Sequence, residues 1–497
     1  MKRSIVLGLV GVVLGTWCGL GADLVVAVST EPPGLDPTTN AAAVIKLLLH
    51  HNVYECLVQF DAETNLQGQL ATSWEVSADG LEYLFHIRNG VTFHDGTPCD
   101  AEAVRRSFQR TLDPRTGHPN RNFYAAIQEV VAEEGRVRFV LKYPYAPFLA
   151  LLALGDSVVV PAQRADLALH PVGTGPFAMA EMEDWRPTDR LILRRFDGYY
   201  LPDRPKVERI VFRFIPDPAA QLAALRAGDV DLIAEVTPEI AFALSTDPLF
   251  RVVSGPSNVV QLMAINNARP PLDRVEVRRA LAHAIDRQAV IDQVFFGFGT
   301  PIGSHLTPAV PYYADMTHVY PYDPVEARRL LVAAGYGEGL TLRMVLPSNY
   351  AQHVRTGEFI AAQLREVGVR VAIELVDWNT WLDRVFTAAD YDLTVVGHPG
   401  RADPALMLTG YGADRPDYYF RRGWRNEELE SLLGLGMVTP DPGTRRAIYA
   451  RVQEILAEEA VNYYIQDMAA IHALRAGVVG VRVLPIYVLD LTQVGFE

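Results

Sequence analysis

Histidine, cysteine and glycine are the residue types whose spacing would reveal catalysis or metal chemistry here, and each is spaced for something plainer. Histidines form the adjacent pair His50-His51 and stand singly at positions such as His94, His283, His305, His353 and His398. A helical metal site pairs histidines at i and i+4 beside acids, a pattern these positions lack. Neighbours on a helix or strand also point apart, which argues against the His50-His51 pair. Structural and surface roles are expected, with no metal and no other cofactor. Cys56 and Cys99 follow neither a C-x-x-C nor a zinc spacing, so two separate thiols are expected, a disulfide being the alternative. Gly297-Phe298-Gly299-Thr300-Pro301-Ile302-Gly303 misses the dinucleotide spacing and carries Pro where a helix would begin. Nucleophile-elbow, zincin and P-loop signatures are absent from the sequence. What remains is recognition chemistry: charged side chains as anchors, with Trp378, Trp381, Tyr418-Tyr419-Phe420 and Trp424 as candidate walls. Trp378 and Trp381 share one helical face, where core packing is the ordinary role.

Length and charge narrow the partners. A chain of 497 residues suits two or three domains, and its 49% apolar content supplies ordinary cores. The formal net charge of −14 disfavours nucleic acid and anionic membrane surfaces. Lys2-Arg3, the apolar run Ile5 to Leu14 and the small residues Gly19 to Ala22 have the three parts of a secretory leader, with cleavage expected before Ala22 or Asp23. A membrane anchor fits less well, because Gly8, Gly11, Gly15 and Gly19 interrupt the run. Thr16-Trp17 before Cys18 makes a poor lipid-attachment site. A soluble exported protein is expected, in the periplasm.

The elements that must carry any site read as follows. Leu24 to Val28 is a buried strand that must turn at Glu31-Pro32-Pro33-Gly34. Leu70 to Phe108 is a strand meander with Asp79-Gly80 and Asn89-Gly90 turns, then a helix capped by Asp100. Gln221 to Ala227 is a helix closed by Gly228, leading into the strand Asp229 to Ile233. Val277, Leu281, Ala284, Ile285 and Val290 share one helical face, with Arg278, Arg279, Asp286 and Arg287 opposite. Asp323-Pro324-Val325-Glu326 starts a helix, Asp323 capping and Glu326 able to reach back. Phe359 to Val367 is a helix ended by Gly368, and Val369 to Leu375 alternates as a strand, a helix-strand succession typical of doubly wound sheets. Gly443 to Ala460 reads as a late helix and Ala470 to Val494 as a strand-like tail.

Several of these stretches together resemble the family 5 extracellular solute-binding proteins. The resemblance rests on Leu70 to Phe108, on Pro171-Val172-Gly173-Thr174-Gly175-Pro176-Phe177, and on the Leu225 to Asp231 unit, and it spans nearly the whole chain after the leader. It implies an α/β fold of the type II periplasmic-binding-protein kind, with two lobes joined by a hinge and an extra α+β subdomain inserted in lobe one. Under that reading residues 1–22 are the leader, 23–55, 172–262 and 471–497 form lobe one, 56–171 the inserted subdomain, and 263–470 lobe two.

The same resemblance implies a carrier and no enzyme. It would capture a small peptide-like solute between the lobes and deliver it, as a monomer, to the permease of an ABC importer. An exported hydrolase and a sensor docking on a receptor are the alternatives. The turn carrying Thr30 and Glu31 would lie on the cleft floor. Arg355 matches an arginine that holds the ligand carboxylate in dipeptide binders, a role its planar guanidinium suits. Gly397-His398-Pro399-Gly400-Arg401-Ala402-Asp403 matches the loop that holds the ligand ammonium there. Arg401 replaces the anchoring Asp and His398 a Trp, with Asp403 a possible substitute anchor. Arg355 and Arg401 together would favour an acidic or opine-like solute, with Tyr419 and Trp424 as walls.

Overall fold

The computed structural model describes residues 23–497, so the expected leader lies outside the described residues. Two long antiparallel strands, Phe250–Ile265 and Asn462–Arg475, hold the molecule together, and both cross from one lobe to the other. On the lobe-one side Asn462–Arg475 pairs with Leu232–Ile233, followed outward by Asp23–Val28, Arg209–Phe214 and Arg190–Arg195. On the lobe-two side Phe250–Ile265 pairs with Leu393–Pro399, followed by Leu340–Pro347 and Val369–Val376. One sheet thus runs through both lobes. Asp23–Val28 has parallel partners on both edges, and Leu24, Val26, Ala27 and Val28 are buried, as such a strand requires.

The ladder between the crossing strands breaks where the lobes meet. Register shifts between Pro256 and Val260 and again between Gln261 and Leu262. Pro256 has no N–H to give the ladder, and Asn258 sits at φ 58°, a left-handed conformation that Asn tolerates. The side chain of Asp467 repairs the gap: its Oδ1 accepts from the Val259 N–H at 3.1 Å. Burial pushes that carboxyl up to about 7.

The inserted subdomain is a four-stranded antiparallel sheet, Ala71–Val76, Glu82–Ile87, Arg136–Leu141 and Ile127–Glu133, covered by the helix Ala101–Leu112. Asp100 caps that helix, accepting from Ala103 N at 2.9 Å, and Gly80 and Gly90 take the positive φ their turns need. The Gly173-Thr174-Gly175 run passes tightly over Asn52 and Val53. The Gly175 N–H donates to Val53 O at 2.9 Å, and a Cβ on Gly173 would run into that same carbonyl, so glycine is required. Thr174 donates to Glu55 at 2.8 Å.

Five local expectations change in the structure. The face Val277 to Val290 belongs to two helices, Val275–His283 and Arg287–Val294, because Asp286 caps the second through Ala289 N. Arg278 lies inside: its guanidinium donates to the carbonyls of Leu272, Asp273, Glu459 and Ala460, closing the end of the helix Pro442–Glu458. Asp323 caps as expected, but Glu326 reaches forward to Arg329 at 2.6 Å, where a charged partner outcompetes the neutral N-cap amide. Beyond Arg475 the tail is mostly irregular, and its Leu489 N–H donates to Leu47 O of the helix Ala43–Leu49. His50 and His51 sit at a turn, with φ 68° at His51, and their rings meet at 4.3 Å. Cys56 and Cys99 are free and buried.

Candidate functional site

Ligand crevices in open α/β sheets form outside the carboxyl ends of parallel strands. Here Asp23–Val28 ends at Ser29 and Leu232–Ile233 ends at Ala234-Glu235, and both ends open into one pocket of about 360 Å³. The crossing strands add Ser257 and Ala469 to His472, the tail adds Ile486 to Val488, and lobe two adds Gln352. The pocket therefore lies between the lobes, against the register break. Its volume suits a small solute.

Glu235 is the charged group of this pocket. Tyr487 donates its hydroxyl to both carboxylate oxygens at 3.3 Å, a long contact that leaves acceptor capacity for a ligand. Both side chains are open to the water of the cleft, yet protein surrounds them at longer range. That partial desolvation raises the Glu235 pKa, and the Tyr487 bond opposes the rise. His472 is fixed as a neutral tautomer: the carbonyl of Ala234 can only accept, so Nδ1 carries the proton. Burial lowers its pKa, and the bond to Ala234 opposes that shift. A carboxylate among neutral groups, with room in front of it, is built to receive a cation or a cluster of donors.

None of the nine residues singled out from the sequence lines this pocket. Thr30 follows the lining residue Ser29, and Glu31 turns away to accept from the Thr188 N–H at 2.9 Å. Arg355 lies at the mouth, three residues beyond Gln352 on the helix Ala351–Glu366, and forms an ion pair across the lobes with Glu239. Phe242, on the same short helix as Glu239, meets Phe296 of lobe two at 5.3 Å beside that ion pair.

The loop after Leu393–Pro399 packs on the hinge and away from the pocket. The Gly400 N–H donates to Asn258 O at 2.6 Å, and a Cβ there would strike Asn258. Arg401 stacks its guanidinium on Phe123 of the inserted subdomain, 4.6 Å from the ring centre. Asp403 is buried, caps the helix Pro404–Met407 through Ala405 N, and accepts two bonds from Arg445 at 2.8 and 2.9 Å. His398 packs among His305, Tyr419 and Phe420, and burial takes its pKa down to about 4. Tyr419 accepts at its carbonyl from Tyr391, and Trp424 donates its indole N–H to Glu459; both are core residues. Trp378 and Trp381 stack face to face at 4.9 Å, with Trp381 held by Thr394.

His353 packs against the paired strands Phe250–Ile265 and Leu393–Pro399. Its Nε2 accepts from the Gly397 N–H at 3.1 Å, and Gln261, facing its Nδ1 at 3.2 Å, accepts in turn from Gln466 at 2.8 Å. Sequence reading missed Glu235, Tyr487 and Gln352. The available sign was position: Glu235 stands directly past a short buried strand, the place where crevice residues fall.

Known proteins with this arrangement are solute binders. Residues 65–417 match the profile of the bacterial extracellular solute-binding proteins, family 5. The glutathione-binding protein GsiB of Shigella dysenteriae is 28% identical over 485 residues, covering 94% of each chain, and that of Escherichia coli O157:H7 is equally similar. AgaA of A. tumefaciens, solved with agropinic acid, is 28% identical with a TM-score of 0.73, covering 96% of this chain and 99% of its own. DppA of Helicobacter pylori, solved with the peptide STSA, is 25% identical with a TM-score of 0.75 over 96% and 98%. Among the described residues no helix is long and apolar enough to cross a membrane. These relatives bind and do not catalyse, which removes the hydrolase alternative. The chain belongs to family 5 of the bacterial extracellular solute-binding proteins, the solute-capturing components of ABC importers.

Proposed function

We propose that this protein captures a small peptide or peptide-like solute with a free ammonium group, in the pocket around Glu235, and carries it as a monomer through the periplasm to its permease. The observation that carries the reading is the Glu235 carboxylate, open to the pocket with one long tyrosine contact. An ammonium placed there gains a charge-assisted bond in a partly shielded site. Glutathione and short peptides, the ligands named for GsiB and DppA, both offer such a group. Arg355 at the mouth is placed to exchange Glu239 for a solute carboxylate, which would keep the anchoring role expected for it. Closure then turns about the break at Pro256 to Val260, near the lobe boundaries at 262 and 470 expected from the sequence.

Arg401 stacked on Phe123 and Asp403 clamped by Arg445 argue against the loop 397–404 as the solute anchor. An acidic, opine-like solute is the second reading, favoured by Arg355 at the mouth and by the agropinic acid complex of AgaA. Calorimetric titration with glutathione, neutral dipeptides and agropinic acid, beside native mass spectrometry of the freshly purified protein, tests both. Binding of amine-bearing peptides that is lost in Glu235→Gln supports the first reading. Binding of agropinic acid alone, unaffected by Glu235→Gln, would replace it with the second.

A further inference from the structure

A second polar pocket, of about 110 Å³, lies in lobe one, and Leu484 stands between it and the interlobe pocket, lining both. Its walls come from His51 and Glu55, from Arg88, from the stretch Tyr199 to Arg204, and from Asp490 and Thr492. The carboxylates around it are already satisfied. Glu55 accepts from Thr174 at 2.8 Å and from Tyr199 and Tyr200 at 3.0 and 2.8 Å. Asp490 accepts from Arg482 at 2.9 Å and from Thr492 N at 3.0 Å. Asp61, at the rim, accepts from Gln67 at 2.8 Å and from two backbone amides.

Two of the three arginines that line it are not. Arg204 has no ion pair or side-chain hydrogen bond among the described residues. Arg88 gives only its Nε–H, to the carbonyl of Gln69, and lies 4.9 Å from the Tyr200 ring centre, also without an ion pair. A further polar atom lining the same pocket, Thr492 Oγ1, is buried without a hydrogen-bond partner among the described residues, on a side chain more than nine-tenths buried, while His51 turns its Nδ1 to Asp490 Oδ2 at 3.9 Å. The unspent capacity is therefore that of donors and positive charge, gathered around a space too small for a peptide. Buried polar groups of this kind carry a cost unless something pairs with them.

We propose that this pocket is a binding site for a small oxyanion, held by the guanidiniums of Arg88 and Arg204 with the Thr492 hydroxyl donating from its floor. The chemistry is that shared by inorganic phosphate, sulfate and a small carboxylate. Planar guanidiniums match such oxygens in pairs, and a neutral solute would leave both charges uncompensated. Arg88 and Arg204 do not line the solute pocket, and the site needs no assumption about the transported molecule.

Thermal unfolding of the purified protein in a zwitterionic chloride buffer, with added phosphate, sulfate or acetate, provides the test, with ³¹P line broadening of inorganic phosphate as a direct readout. At least one of the three anions is expected to raise the unfolding temperature, and which one does so identifies the source. The concentration needed should rise at least about tenfold in Arg204→Gln, the loss of one charge-assisted contact, and less in Arg204→Lys, which keeps the charge. Arg355→Gln, at the solute cleft, should leave the effect intact. The proposal is overturned if none of the three anions acts, as when the pocket holds only water. It is equally overturned if the effect survives Arg204→Gln in a folded protein, or disappears in Arg355→Gln.

Discussion

Glu235 of lobe one and Asp403 of lobe two are both acids placed just after a strand of the shared sheet, yet Glu235 faces water beside a single tyrosine hydroxyl while Asp403 is clamped by two bonds from Arg445. The same side-chain chemistry at equivalent topological places thus serves opposite ends. In lobe two a neighbouring helix, Pro442–Glu458, brings its own cation to the strand end and converts the acid into framework. In lobe one no cation among the described residues pairs with Glu235, and the acid is left for whatever enters the cleft. An acid is a binding residue when the fold leaves its acceptor capacity open.

The largest effect is expected where framework is broken. Arg445→Met would leave Asp403 buried and unpaired, lowering stability by about 3 to 5 kcal/mol in urea unfolding, with solute affinity of the folded fraction unchanged. A loss below about 1 kcal/mol would show that the buried pair is not framework, because exposed pairs behave that way. Next comes Glu235→Gln, expected to weaken an ammonium-bearing solute ten- to a hundredfold, roughly the range for one hydrogen bond to a charged partner, while the unfolding midpoint holds. Calorimetry beside thermal unfolding separates the two outcomes, and unchanged affinity would erase the contrast.

Acidity gives a smaller, signed effect. Glu235 has its pKa raised in the folded protein, so below that value it is neutral and no longer attracts an ammonium. Solute affinity should therefore fall as pH drops through the raised value, and Glu235→Gln should flatten the profile. Stability runs the other way. Between the ordinary carboxylate range and its raised value the folded chain holds a proton that the unfolded chain has released, so this group's contribution declines as pH rises. Glu55 and Asp467, both pushed up to about 7, add the same sign. The smallest effect is reserved for Arg401→Gln. Losing its stacking on Phe123 should cost about 0.5 to 1 kcal/mol and leave solute affinity within about twofold. A collapse of affinity would return loop 397–404 to the site.

Most of the scaffold was legible in the sequence because its cues are local. Asp100, Gly80, Gly228 and Asp323 do what their neighbours within four residues dictate, and turn and cap chemistry needs no knowledge of the rest of the fold. The burial of Arg278, read as part of a polar face, and the Arg445 to Asp403 pair, whose acid read as a possible anchor, were not legible, since their partners lie far along the chain. The site suffered in the same way. Arg401 and His398 stand where a homologous loop carries anchors, but what each touches is set by Phe123 and His305, which only the tertiary fold delivers. Glu235 carried only the sign of its position past a short strand, and its partner Tyr487 lies far off in the C-terminal tail.

The crossing strands Phe250–Ile265 and Asn462–Arg475 bear on how the molecule carries load. Because each chain segment runs unbroken from one lobe into the other, a force pulling the lobes apart is borne by covalent backbone in two parallel tethers, and no row of hydrogen bonds has to unzip. Torsion meets far less resistance at the frayed ladder beside Pro256, where a side-chain carboxylate stands in for a missing rung. The joint is stiff to tension and soft to twist, which suits a protein that must open and shut many times without coming apart.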